Sequence, residues 1–244
     1  VIAAAASAGA FGAARAIAPG GWLEIFGKNL SAITRSWGGA DFKGAQAPVS
    51  LDGVRVTVDG RPAFVAFVSP SQINVQVPDG IATGRDVQVF VQGPEASSES
   101  LLIAAVPRSP GLLAPPSFSS NGRQYVAALH SDGSTFAGPE GLVPGVAFRR
   151  AAAGDTLILY GVGFGATAPA VPAGQITGLT SLLPGVDIRF GNQSVPVAFA
   201  GLAPGLVGLY QFNVTVPAGL EGDVPLTVSV GGVAVPQALS IALR

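Results

Sequence analysis

The stretch QINVQVP at 72–78 is written again, almost unchanged, as QFNVTVP at 211–217. In the first, Ile73, Val75 and Val77 fall on one side of an extended chain. Gln72, Asn74 and Gln76 fall on the other. That period of two marks a strand with one face buried and one face wet. Other pieces echo in the same order. APGGWLEIFGKNL (18–30) answers AAGDTLILYGVGF (152–164), VRVTVDG (54–60) answers VDIRFGN (186–192), and DVQVFVQG (86–93) answers PLTVSVGG (225–232). LLIAAV (101–106) faces LSIALR (239–244). One match among Val-rich strands can arise by chance; five in order indicate a duplicated unit. The spacing grows at AGLAPGLVGLY (200–210), so the second copy carries an insertion there.

Each copy reads as about seven short strands with turn signals between them. Asp59-Gly60 and Asp132-Gly133 are hairpin-type turns. No stretch has a capped helical period. The expected fold is all-β: two tandem Ig-like antiparallel β-sandwich domains. The first is placed at 1–110, including an Ala-rich N-terminal extension (1–16). The second is placed at 111–244. A proline- and serine-rich segment, 107–121, is read as the linker that precedes it.

Composition narrows the function. The chain has 244 residues, no Cys and no Met. Disulfide frameworks and thiolate metal sites are therefore excluded. Charged residues make up 11%, against roughly a quarter in an ordinary soluble domain. The net charge of −1 offers no basic footprint for nucleic acid. No apolar run reaches the ~18 residues of a membrane-spanning helix, so membrane insertion is not expected. Gly and Pro are frequent, 34 and 20 residues, but they punctuate Val-rich runs rather than form low-complexity tracts. A start without Met, in an Ala-rich segment, suits a terminus left by signal-peptide removal, with an extracellular or cell-surface location.

The segments IAPGGWLEIFGKNL, VSPSQINVQVP, AALHSDGS, LYGVGFG and AGLAPGLVGLYQFNVTVPAGL together resemble a known family. It is the paired Ig-like C-terminal module of many secreted bacterial proteins of unknown function, similar to the IPT/TIG class of sandwich. The resemblance spans nearly the whole chain. It implies a non-catalytic, extracytoplasmic β module with no cofactor.

The residues themselves also argue against catalysis. A Ser-His-Asp site needs a histidine, and the single one, His130, is adjacent in sequence to Ser131 and next but one to Asp132, which is turn chemistry rather than triad assembly. One His and no Cys leave no ordinary zinc site. The Gly-rich YGVGFG (160–165) lacks the strand-to-helix context of a phosphate loop and reads as a turn. Glu24, within WLEIF, reads as an outward charge on an edge strand. Three N-x-[S/T] sequons, at Asn29, Asn192 and Asn213, are read as accidental in a bacterial chain.

Two binding readings remain. The apolar VIAAAASAGAF start can be a strand of its own sandwich, a processing tail, or a donor strand added to a neighbouring copy. In the last case Val1, Ile2, Ala4, Ala6, Ala8 and Phe11 are the subunit contacts, and the partners are copies of the chain itself, held by strand addition and apolar packing in a surface filament or layer. The alternative is an adhesion or carbohydrate-binding module, for which Trp37, in TRSWGGADF, is the candidate contact.

Overall fold

A computed structural model describes residues 1–8, 16–94, 96–183 and 185–244. Phe11, among the expected subunit contacts, lies outside them. The described chain is built of strands, with helical structure limited to short 3-10 turns such as Gly39–Asp41. In the first half the main strands are β1 (Ile2–Ser7), β2 (Trp22–Gly27), β3 (Arg55–Val58), β4 (Phe64–Val68), β5 (Gln72–Gln76), β6 (Arg85–Gln92) and β7 (Leu101–Ala105). In the second they are β8 (Gly111–Leu112), β9 (Ala128–His130), β10 (Thr156–Val162), β11 (Val186–Phe190), β12 (Val197–Leu202), β13 (Tyr210–Thr215), β14 (Gly222–Val230) and β15 (Leu239–Leu243).

The two halves share one plan. One sheet of the first half runs β1-β2-β5-β4, and the second half repeats its centre as β9-β10-β13-β12. The facing sheets run β3-β6-β7 and β11-β14-β15. Inward residues of each pair of sheets meet in a core. Leu23, Ile25, Val56, Val65, Ile73, Val75, Val87 and Ile103 fill the first. Leu157, Leu159, Ile188, Phe190, Phe212, Val214, Val228 and Ile241 fill the second. The all-β tandem-sandwich fold expected from the alternation is the fold observed.

The duplicated heptapeptide explains itself at atomic level. Ile73, Val75 and Val77 are buried, as are Phe212, Val214 and Val216. On the outer face Gln72 Nε2 donates to Asn74 Oδ1 at 2.8 Å, and Gln211 Nε2 donates to Asn213 Oδ1 at the same distance. Each Asn sits opposite a Phe, Phe67 or Phe199, at a shift in register of the neighbouring strand. The duplication has therefore carried a bulge, which locally adds twist and re-aims side chains. The backbone N–H of Gly20 closes on the carbonyl of Val77, and that of Gly154 on Val216, in the same way.

Two expectations change. The segment 107–121 is not a free linker. Gly111 and Leu112 pair with β10, Leu112 and Ala114 lie in the second core, and Phe118 packs edge-on against Phe136 and Phe148 at 5.0 Å. Its apolar residues outweigh its prolines, because buried Leu and Phe surface stabilises the packed state. Nor is β2 an edge. Strand β1 covers it in antiparallel register from Ser7↔Leu23 to Ile2↔Gly27. Glu24 thus faces outward in mid-sheet between Ala6 and Asn74, and burial raises its pKa.

Within this chain β1 occupies the place beside β2 that β9 occupies beside β10. Deleting residues 1–7 removes a full ladder, at about 1 kcal/mol net per hydrogen bond. The expected result is a first sandwich destabilised by several kcal/mol in urea denaturation followed by tryptophan fluorescence. Unchanged stability would make β1 an appendage.

Candidate functional site

The junction between sandwiches is built at a rung where the two copies differ. Trp22 pairs across the ladder with Gln76, whereas the corresponding rung of the second copy is Thr156 with Thr215. Gln76 is only 3% exposed. A buried amide needs partners for both its ends. Its Nε2 donates to the carbonyl of Gly20 at 2.9 Å, and its Oε1 accepts the backbone N–H of Gly174, 98 residues away, at 2.6 Å. Asp79 adds a second tie: its Oδ2 accepts the N–H of Ala173 at 2.7 Å. The ladder continues through Ala47 N–H to the carbonyl of Gly174 at 2.7 Å and Ile176 N–H to that of Ala45 at 2.9 Å.

Two glycines make the approach close enough. At Gly174, with φ of +80°, a Cβ would lie 2.2 Å from the ring of Phe64. At Gly208, with φ of +60°, it would lie 2.1 Å from Gln76 Nε2 and 3.1 Å from Trp22 Nε1. Only glycine meets both the left-handed backbone and the missing space. Gly208 belongs to the seven-residue insertion seen in the sequence. That insertion is a clasp laid on the first sandwich.

Beside the clasp a cleft of about 650 Å³ opens between the halves. The first sandwich lines it with Trp22, Trp37 and Phe42, and the second with Ile176, Leu206 and Leu209. Trp37 meets Trp22 edge to face at 5.7 Å and Phe42 at 5.1 Å. Such pairs fix ring orientation beyond simple burial. The loop that carries Trp37 and Phe42 is held by Arg35, which grips Asp41 with two bonds of 2.9 and 3.0 Å and also binds Asp52. This guanidinium, with the N–H of Gly38, lowers the Asp41 pKa to about 2, and the pair in turn holds Arg35 more firmly protonated.

Trp37, expected from sequence as a ligand contact, therefore lies in the cleft, though as one member of an aromatic trio rather than a free platform. The expected subunit contacts lie apart from it along β1. Val1 and Ala4 are exposed, Ile2 is half-buried and Ala6 is buried, while Ala8 reaches the cleft wall. Gln76 was not singled out from sequence, and the insertion was noted there only as a change of spacing. The signal was present, because these are the places where otherwise matching copies disagree.

His130 does not sit in an exposed turn. It is 1% exposed, with Nδ1 3.5 Å from Asp155 Oδ2 and Nε2 3.3 Å from the carbonyl of Arg149. Asp155 also accepts from Arg149 and from the N–H of Ala152, the bond that most lowers its pKa. Ser131 and Asp132 point into solvent, and Asp132 closes an Asx turn on Ser134 and Thr135. The arrangement orients a buried imidazole and supplies no nucleophile. Among the described residues no three His, Asp or Glu side chains gather as a metal site, and no helix is long and apolar enough to cross a membrane.

Fold and site together define a tandem Ig-like sandwich protein with an aromatic cleft at its junction. Residues 19–103 match the family model described as IPT/TIG domain, so the resemblance read from the sequence is borne out over the first sandwich. No curated protein matches the chain by sequence. Among solved structures, SGBP-B of the Bacteroides ovatus mixed-linkage glucan utilization locus, in complex with a mixed-linkage heptasaccharide, is 12% identical with a TM-score of 0.39. The match covers 94% of this chain and 43% of that one. SGBP-B from a complex xyloglucan utilization locus in Bacteroides uniformis is 16% identical, with a TM-score of 0.27 over 99% of this chain and 49% of that one. Domains 5–6 of the S-layer protein SbsC are 13% identical, with a TM-score of 0.31 over 100% and 99%. The chain thus spans less than half the length of the two SGBP-B proteins.

Two substitutions report on this region. Gln76→Thr writes the second copy's residue into the first and leaves the Gly174 N–H buried without its acceptor. The expected loss is about 1–3 kcal/mol, seen as a tryptophan-detected transition that separates from the one detected by circular dichroism. Acid titration checks the loop. A depressed carboxylate stabilises fully above its unfolded value of 3.8, and that stability fades as pH falls toward 2. Tryptophan emission is expected to change over that window, and in Asp41→Asn the altered emission is already present at pH 7.

Proposed function

We propose that the chain is a non-enzymatic extracellular structural protein that associates with copies of itself on a bacterial surface. The observation that carries this reading is an unguarded sheet edge. Among the described residues strand β1 pairs with β2 alone, and its six residues, IAAAAS, include no charge and no proline. Native edges are commonly protected by Lys, Pro or a covering element, since an open ladder pairs with another chain. Ala3 and Ala4 are exposed on this edge. A second copy can lay its own strand there by β-augmentation, with small side chains that allow close approach. Residues 2–7 already sit in their own sheet, so addition is edge to edge rather than insertion of a donor. Pairing of β1 with β1 alone closes as a two-fold pair, and growth into a filament needs a second, different contact. The sparsely charged surface, with 27 charged residues in 244, offers little repulsion against one.

Carbohydrate adhesion through Trp37 is less well supported, because among the described residues the cleft wall combines its aromatic rings with aliphatic and glycine residues and no polar side chain beyond the indoles. Sugars need such partners for their hydroxyls.

Sedimentation and electron microscopy of the purified protein test the proposal. Wild type is expected to self-associate with rising concentration. Ala4→Lys, which puts like charges face to face across the joined edges, is expected to weaken association more than about tenfold with the fold intact. A wild-type chain that stays monomeric at high concentration would defeat it.

A further inference from the structure

The cleft carries a second conclusion, independent of self-association. Its volume of about 650 Å³ lies within the roughly 300–1,000 Å³ typical of small-molecule sites. Its walls come from both sandwiches, so it exists only when the clasp is closed. Among the described residues none of the lining side chains is charged, and none carries a hydroxyl, amide or carboxylate. The indole N–H of Trp22 is buried against Gly208, without a hydrogen-bond partner among the described residues. A sugar or an ion entering this space would lose hydration without replacement, which costs several kcal/mol per group. A hydrocarbon chain loses nothing of the kind and gains apolar burial.

We propose that the cleft binds a free, uncharged medium-chain hydrocarbon ligand, seated between the Trp37–Phe42 loop and Leu206. Bulk is limited by the aromatic trio, whose edge-to-face contacts and Arg35–Asp41 clamp hold that wall in place. The opposite wall is adjustable: Leu206 is 45% exposed, and Gly205 leaves open space where a side chain would stand. The ligand is therefore gripped on one side by fixed rings and covered on the other by a movable aliphatic residue.

The molecule contains its own reporter. Trp22 and Trp37 are the two tryptophans of the chain, and both line the cleft. Titration of the full chain with 1-decanol, at dilute protein concentration where copies do not associate, is expected to give a saturable change in tryptophan emission. Leu206→Asp places a carboxylate in the apolar wall at an exposed position and is expected to weaken the response more than about tenfold. Gly39→Leu fills the cleft from the other side, at a glycine with ordinary backbone and free space, and is expected to abolish saturation. Circular dichroism and thermal unfolding check that both variants fold. Cellohexaose is expected to give no response, and neither are phosphatidylcholine vesicles. A saturable response to cellohexaose, a response to vesicles without one to decanol, or decanol responses equal in wild type and both variants would overturn the proposal.

Discussion

One buried amide determines how the halves of this protein stand together. Gln76 turns its two ends in opposite directions, one to the loop of its own sandwich at Gly20 and one to the backbone of the other at Gly174. Buried as it is, neither end can be released without leaving a polar group dry. The short ladder between 45–47 and 173–176 and the bond from Ala173 to Asp79 extend the same contact. The cleft, the placement of Trp37 and the close seating of Gly208 all follow from that closure. Duplicated sandwiches do not oblige such a junction. At this rung the copies differ, Thr–Thr in the second and Trp–Gln in the first, and the second copy carries extra residues opposite it.

Most of the fold was legible because its determinants are local and repeated. Alternation in QINVQVP and QFNVTVP located two central strands. Even the bulges opposite Asn74 and Asn213 left a trace, since both heptapeptides keep Gln and Asn two apart on the outer face. The reading failed where long-range packing overrode local composition. Prolines at 107–121 suggested a linker, but Leu112 and Phe118 needed burial and drew the segment into the second unit. Glu24 looked like an edge charge because the Ala-rich start left open whether it paired within its own sandwich. His130 looked like a turn residue because its partner, Asp155, is 25 positions away. The candidate site was half legible: Trp37 stood out by type, while Gln76 looked like one more outward polar residue of a strand.

The surfaces divide by chemistry. Charged contacts are few and local, such as Arg35 with Asp41 and Asp52, or Arg150 with Asp223, and they stiffen loops rather than shape a field. What is left exposed is backbone edge at β1 and apolar wall at the junction. Both are features that recognise shape and dryness rather than charge, so contacts made there are expected to depend weakly on ionic strength. A third aromatic group, Phe118, Phe136 and Phe148, shows the contrasting use of the same residue type, closed over by Leu142 and Val146 and reserved for packing.

The second sandwich holds the first chiefly through main-chain atoms: N–H groups of Ala173, Gly174 and Ile176 and the carbonyl of Gly174. Truncating side chains along that segment leaves every one of these groups in place. An alanine scan of residues 173–176 would leave these bonds almost untouched, and register them only at Gly174, where alanine adds an atom instead of removing one.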